Sequence, residues 1–386
     1  MAARTASFRI PAQIIFGNGA AEAIGAEARR LGARNALIVC DPTLRKLGIA
    51  DQAGSWLAAQ DIASKIYSEV EFEPSADGVD RAAQFARSSE CDLVVAIGGG
   101  SAMDTAKALA VLMSNPGGLR DFIGTGLVPK RGVPTILVPT TSGTGAEMTP
   151  NSLFYLPEAR DKKAIVSPHT IPDVAIVDPL LTLTVPPSVT AATGVDALCH
   201  AIESYTSSNA SPMTDMYALE AVRLIGASLR TAVGNGSDLA AREAMARASF
   251  YAGISIGNAG TNAVHALAYP LQGQHRITHG IANSLMLPYV IDFNAPSNLQ
   301  KFARVAEALG EAVGGVSLRD AAMKSASACR LLSEDVGIPR KLSEVGVKSE
   351  HVEDLVEGAM NVTRLLANNP RRVTRDDVRR IFERAL

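Results

Sequence analysis

The stretch Asp92-Leu-Val-Val-Ala-Ile-Gly-Gly-Gly-Ser-Ala-Met-Asp-Thr-Ala-Lys107 decides the reading of the fold. A continuous apolar, β-branched run, then three glycines, then an alanine-rich segment reads as strand, loop and helix start. Glycines let backbone approach a ligand closely, and the free N–H groups of a helix N-terminus attract phosphate. The spacing is neither GxGxxG, since position 103 is Met, nor a Walker A loop, since no Gly-Lys-Ser/Thr follows. A glycine-rich turn with no ligand carries the same letters.

Working outward, Ala36–Cys40, Pro134–Val138 and Asp173–Val177 are further apolar runs bounded by turn residues. Such runs suit strands buried on both faces of a parallel sheet. Helical spacing appears between them at Gly78–Ser89 and Ala102–Met113, so strand and helix alternate as in an α/β domain. After Val185-Pro186-Pro187 the pattern changes to successive alanine-rich amphipathic helices: Asp215–Arg230, Leu239–Ala252, Leu299–Ala308 and Leu318–Leu332. The expected organisation is an α/β dinucleotide-binding domain over residues 1–185 and an all-helical domain over 186–386. At roughly 150 residues per domain, 386 residues fit such a division.

Composition narrows the function. Lys+Arg number 37 against 39 Asp+Glu, and aromatics make up 5%, so neither a basic excess nor stacking platforms favour nucleic acid. No apolar run approaches the roughly 18 residues that span a bilayer, and the N-terminus lacks a signal-peptide core. Cys40, Cys91, Cys199 and Cys329 form no CxxC pair, which points to neither zinc ribbon nor disulfide framework. A soluble cytoplasmic enzyme is expected.

A second loop, Thr140-Thr-Ser-Gly-Thr-Gly-Ala-Glu147, follows the strand ending at Val138. Its hydroxyls and glycines suit phosphate, ribose or a nicotinamide amide, or simply an ordinary capped turn. Two such loops at one sheet edge favour a dinucleotide. Asp41, just after Ala36–Cys40, could accept from a ribose diol and repel a 2′-phosphate, which leans towards NAD over NADP. A strand-end aspartate opening a turn with Pro42 reads nearly as well.

Of six histidines, three fall between 265 and 279. Asp196 and His200 stand i,i+4, one turn apart on one helix face. His265 lies in a second helical segment, and His279 opens the next. One aspartate and three histidines would make a site for Fe²⁺ or Zn²⁺ with room for a substrate oxygen. Each alone reads as an ordinary buried polar residue; together, in otherwise apolar helices, they point to a metal.

These motifs resemble the iron-containing (group III) alcohol dehydrogenases of the dehydroquinate synthase-like superfamily. The resemblance spans essentially the whole chain: Phe8–Gly17, Gly98–Lys107, Pro139–Glu147, Gly194–Glu203, His265–Gly280 and Asn369-Pro-Arg371. It implies that Asp196, His200, His265 and His279 hold metal, and that Gly98, Gly99, Gly100 and Ser101 hold the pyrophosphate. Thr140, Thr141 and Thr144 would line the nucleotide, Asp41 would select NAD, and Asp104 and Lys162 belong to the cofactor-binding set. It also implies an active site in a cleft between the two domains, and a homodimer or larger homo-oligomer.

Three departures stand out. Tyr269 occupies the position where many members carry a histidine near the nicotinamide, so Tyr269 would supply a hydroxyl or shape the pocket. Phe72-Glu73-Pro74 replaces a common Pro-Asn-Pro. Gln272, Gln274, His275 and Arg276 replace a more apolar stretch, which suits a polar or anionic substrate or a solvated loop. Candidate catalytic side chains are His265, Tyr269 and His275. The expected function is metal-dependent hydride transfer between NAD(H) and a small alcohol or aldehyde. A hydroxyacid–oxoacid transhydrogenase, a maleylacetate reductase-like or dehydroquinate synthase-like enzyme, and a non-catalytic binding protein are the alternatives.

Overall fold

The computed structural model describes residues 5–158 and 161–386. Contacts divide the chain into two compact units. One comprises Ile10–Thr141 and Gly145–Thr182. The other comprises Leu183–Leu386, residues 5–9, and Ser142–Thr144.

The first unit is built on a six-stranded sheet in the order β1-β9-β6-β4-β2-β3, every pair parallel. Its strands are β1 (Gln13–Phe16), β2 (Asn35–Val39), β3 (Ala63–Tyr67), β4 (Leu93–Gly98), β6 (Thr135–Pro139) and β9 (Val174–Val177). Central β4 and β6 are buried along their whole length, as a parallel sheet covered on both faces requires. Alternate residues feed two apolar clusters: Val94 and Ala96 join one with Leu109 and Val79, and Val95 and Ile97 join the other with Ile24 and Leu57. The helices are α1 (Ile24–Arg30), α2 (Pro42–Lys46), α3 (Ile49–Ala58), α4 (Ala76–Ser88) and α5 (Gly100–Ser114). A smaller sheet, β5 (Gly124–Thr125), β8 (Asp161–Val166) and β7 (Asn151–Leu156), runs in the order β5-β8-β7, with β7 and β8 antiparallel.

The second unit is helical: α6 (Pro187–Thr206), α7 (Pro212–Gly234), α8 (Leu239–Ala259), α9 (Ala263–His275), α10 (His279–Asn294), α11 (Leu299–Ala308), α12 (Leu318–Asp335), α13 (Val352–Met360), α14 (Thr363–Leu366) and α15 (Arg375–Ala385). α6 is buried at nearly every position from Thr190 to Thr206. A helix apolar all round sits at the centre of its domain, and α6 carries Asp196 and His200. α9 runs through Pro270 to His275, beyond the proline where the sequence pattern suggests an end.

Candidate metal centre and nucleotide loops

Three helices bring four side chains together. On α6, Asp196, His200 and Glu203 stand at i, i+4 and i+7, one stripe of the helix. On α9, His265, Tyr269 and Gln272 repeat that spacing, and on α10 His279 and Asn283 stand at i and i+4. One ligand atom from each of Asp196, His200, His265 and His279 lies within 4.8 Å of the others. The first three are buried, whereas the His279 side chain is 25% exposed.

The hydrogen bonds fix which nitrogen of each ring faces the centre. His200 Nδ1 lies 3.3 Å from the Gly143 carbonyl. A carbonyl only accepts, so Nδ1 carries the hydrogen and Nε2 offers its lone pair inward. His265 Nδ1 bonds the Glu203 carboxylate in the same way. Gln272 donates Nε2 to the Ala268 carbonyl (3.3 Å), which turns Oε1 to accept from His279 Nδ1 at 3.0 Å. Three Nε2 lone pairs and the Asp196 carboxylate therefore converge. His200 Nε2 and His265 Nε2 approach to 3.0 Å, a separation at which two lone pairs repel unless a proton or a cation lies between them.

Asn283 reports the same field. Its Nδ2 donates to Asp196 Oδ1 at 2.7 Å and lies 3.1 Å from both His265 Nε2 and His279 Nε2. Its Oδ1 is buried with no hydrogen-bond partner. The amide turns its positive end to the donors and forgoes a bond at its other end. Three neutral imidazole nitrogens and one carboxylate oxygen, each ring braced at its far nitrogen, fit a divalent first-row cation.

Protonation follows from the same contacts. Burial alone would push the Asp196 carboxyl up, but positive charge on the facing imidazoles, when they take up protons, and the Asn283 amide hold it down to about 2. Burial lowers the His200 pKa, and Asp196 only partly offsets this. At His265 burial also pulls down, but the Glu203 carboxylate at Nδ1 outweighs it and the pKa is raised.

Glu203, Asn283 and the Gly143 carbonyl were not singled out from sequence as parts of a site, and Gln272 was read there as a substrate-facing or solvated residue, not as a partner of His279. The signal available was spacing: Glu203 three residues after His200, and Asn283 four after His279. His275 does not join the four-residue group. Its ring packs on His351, centroids 4.6 Å apart, and burial followed by His351 lowers its pKa. Tyr269 is half-buried one turn beyond His265.

In the α/β unit, β4 and β6 are neighbours, so the loops after them leave from the same carboxyl edge. Gly98 has φ +157°, and a Cβ there would lie 2.7 Å from the Ala102 Cβ. Glycine is therefore required where the chain turns into α5. Gly99 precedes α5 with no side-chain cap on the first N–H groups of the helix. A Cβ on Gly99 would lie 3.4 Å from Thr141 Oγ1, which measures how closely the two loops face each other. Ser101 donates its hydroxyl to the Phe72 carbonyl.

Asp41 caps α2, its Oδ1 accepting from Thr43 N (2.8 Å) and Leu44 N (3.1 Å). Its Oδ2 lies 3.9 Å from the Cβ position of Gly98. Asp41 thus performs the local turn role beside the glycine loop. Lys162 pairs with Glu73 at 2.7 Å. Asp104 is buried and accepts from Leu153 N at 3.0 Å. Nearby, buried Lys107 donates to the carbonyls of Ala146, Thr149 and Asn151 and pins the chain that follows the threonine loop. Burial raises Asp104 to about 6 and Glu147 to about 7, and lowers Lys107 to about 8. Thr140 is buried, and Thr144 falls with Ser142 and Gly143 in the helical unit.

A parallel α/β sheet with two ligand-ready loops, and a helical unit holding an aspartate–trihistidine cluster, define a metal-dependent oxidoreductase of the dehydroquinate synthase-like kind. Comparison makes the class specific. Residues 11–179 match the iron-containing alcohol dehydrogenase family and residues 190–386 match the C-terminal part of the Fe-containing alcohol dehydrogenase family. The chain belongs to the iron-containing alcohol dehydrogenase family. It is 43% identical over 383 residues to long-chain-alcohol dehydrogenase 1 of Geobacillus thermodenitrificans, covering 97% of this chain and 96% of that protein. Among solved structures, a 1,3-propanediol oxidoreductase superposes with TM-score 0.97 at 38% identity, covering 99% of this chain and 100% of the other. Sulfoacetaldehyde reductase from Bifidobacterium kashiwanohense, solved in complex with NAD+, superposes with TM-score 0.89 at 32% identity, covering 99% of each chain.

Proposed function

We propose that this protein is an NAD-dependent, metal-dependent dehydrogenase interconverting small alcohols and aldehydes, with Asp196, His200, His265 and His279 as metal ligands. The convergence of three imidazole Nε2 lone pairs and one carboxylate, each imidazole braced from behind, carries this reading. When bound, a divalent cation supplies Lewis acidity towards an alcohol or carbonyl oxygen, and nicotinamide supplies the hydride chemistry.

The chain's own residues do the rest. Gly98, Gly99, Gly100 and Ser101 receive the pyrophosphate at the start of α5, with Thr140, Thr141 and Thr144 along the nucleotide. Asp104 and Lys162 complete the cofactor-binding set; Asp104 accepts from Leu153 N and Lys162 pairs with Glu73. Asp41 disfavours a 2′-phosphate, which makes NAD the cofactor. Tyr269, one turn from His265, holds the hydroxyl that exchanges a proton with substrate. His275, the remaining catalytic candidate, packs its ring on His351. Iron is the expected metal, and zinc would satisfy the same donors. The similar chains named for long-chain alcohols, 1,3-propanediol and sulfoacetaldehyde leave chain length and charge of the substrate as the variable.

Free, buried thiols at Cys40, Cys91, Cys199 and Cys329 fit a reducing cytoplasm. Among the described residues, no helix is long and apolar enough to cross a membrane. We also expect self-association into a dimer or larger assembly, which sedimentation would measure.

The test is NADH formation by anaerobically purified, Fe²⁺-loaded protein with NAD⁺ and a panel of alcohols, diols and hydroxyacids. Free NADH, abolished by a chelator and by His265→Ala or His279→Ala, is the expected result. No NADH with any alcohol, despite bound metal and NAD, moves the reading to a transhydrogenase. Wild-type turnover in either alanine variant overturns the ligand assignment.

A further inference from the structure

We propose that Gln272 is a positioning residue for the metal: its amide oxygen holds His279 in the tautomer whose Nε2 faces the other donors. This rests on the metal reading above.

Each of the three rings needs an acceptor at Nδ1. The Gly143 carbonyl serves His200 and the Glu203 carboxylate serves His265. His279 is the most exposed of the three, at the first position of α10, where no side-chain cap orders the turn. Gln272 meets it from α9, seven residues after His265 and on the same stripe, so one helix supplies both a donor and the brace of another donor. The amide is itself held. It is buried, and Nε2 donates to Ala268 one turn back in its own helix. That bond leaves Oε1 as the end that meets Nδ1 at 3.0 Å. An imidazole whose Nδ1 hydrogen has an acceptor keeps Nε2 unprotonated and its ring plane fixed. Without the acceptor, Nδ1 and Nε2 compete for the hydrogen, and the ring is free to turn towards solvent.

Gln272→Met keeps the length and apolar stem and removes the acceptor. Gln272→Glu keeps the acceptor. The probe is Co²⁺ alone, added to the full-length metal-free protein. Its dissociation constant is read by competition with a chromophoric chelator, and its coordination by visible absorption. The expected result is a 10–100-fold weaker Co²⁺ affinity and an altered spectrum for Gln272→Met, with Gln272→Glu within about threefold of wild type. Thermal unfolding of the metal-free variants should be unchanged, which separates positioning from folding. Gln272→Met that binds Co²⁺ like wild type with the same spectrum overturns the proposal. So does Gln272→Glu losing as much affinity as Gln272→Met, because packing and not the acceptor would then matter. If Gln272→Met does not fold, Gln272→Asn withdraws the amide and gives the same reading. A wild type that binds no Co²⁺ overturns the metal reading itself, a failure distinct from either variant result.

Discussion

Replacing Glu203 by glutamine separates a helix cap from a ligand brace within one side chain. Glu203 Oε1 accepts from Asn262 N (2.9 Å), Val264 N (2.8 Å) and His265 N (3.4 Å), the open donors at the start of α9. Oε2 accepts from His265 Nδ1. Every partner is a donor, so both oxygens work as acceptors. Glutamine keeps one oxygen. If that oxygen stays on the backbone amides, its NH₂ confronts Nδ1–H, and His265 must move its hydrogen to Nε2, where it blocks a donor. If the amide turns round, its NH₂ confronts three backbone N–H groups. Turning the amide round forfeits three bonds to backbone N–H groups, so the first arrangement is favoured, and metal-free Glu203→Gln should lose about 1–3 kcal/mol of stability as charge-assisted bonds become neutral ones. Metal affinity should fall 10–100-fold through the disturbed tautomer. Denaturant unfolding of the metal-free protein reads the first quantity and chelator competition the second. Wild-type affinity in Glu203→Gln would refute the tautomer argument, whatever happens to stability.

Two other residues give independent tests. Asp41→Asn retains the cap on α2 but removes the charge, so NADP should be accepted at least about tenfold better, whereas Asp41→Ala should cost about 1 kcal/mol of stability as well. Unchanged NADP kinetics in Asp41→Asn would reduce Asp41 to a helix cap. Glu147 is buried with Oε2 unpartnered, and burial raises its pKa from 4.5 to about 7. Its folded-state pKa lies above the unfolded one, so its contribution to stability is full below pH 4.5 and is lost as pH rises through 7. The loss is at most about 3 kcal/mol. Glu147→Gln should flatten that slope and exceed wild type above pH 7; parallel pH profiles for the two proteins would rule this out.

The parts of the fold legible in sequence were those where one physical demand dominates. Leu93–Ile97 is apolar throughout because β4 is covered on both faces, and the glycines after it mark the turn into α5. The long helices of the second half announce themselves by alanine-rich periodicity. Ala63–Tyr67 was missed because β3 is an edge strand, mostly exposed, and reads as polar. The small sheet was missed because β5 is two residues long and takes its identity from pairing with β8. α9 outran Pro270 because a proline forfeits one backbone bond, which packing of Leu267 and Leu271 in the core outweighs. At the site, Asp196 and His200 were readable as one face of one helix. The convergence of His265 and His279 upon them, the brace from Gln272 and the packing of His275 on His351 depend on how helices cross, which no local spacing encodes.

Charge balance explains why these residues belong together. Asp196 and Glu203 are 2% and 1% exposed, and among the described residues they form ion pairs with histidines. Two carboxylates in an apolar interior cost several kcal/mol unless positive charge offsets them. A lysine or arginine would do so by filling the centre with its own side chain. Neutral imidazoles leave the centre open and supply donors without adding charge, so a divalent cation held there would balance both carboxylates at once. Asn283 turns its amide hydrogens inward for the same reason, towards Asp196 Oδ1 and two Nε2 atoms. Asn283→Leu, which cannot do this, should therefore weaken the metal-free protein more than the metal-loaded one. Equal losses in the two states would show that Asn283 packs the site and does not answer its charge.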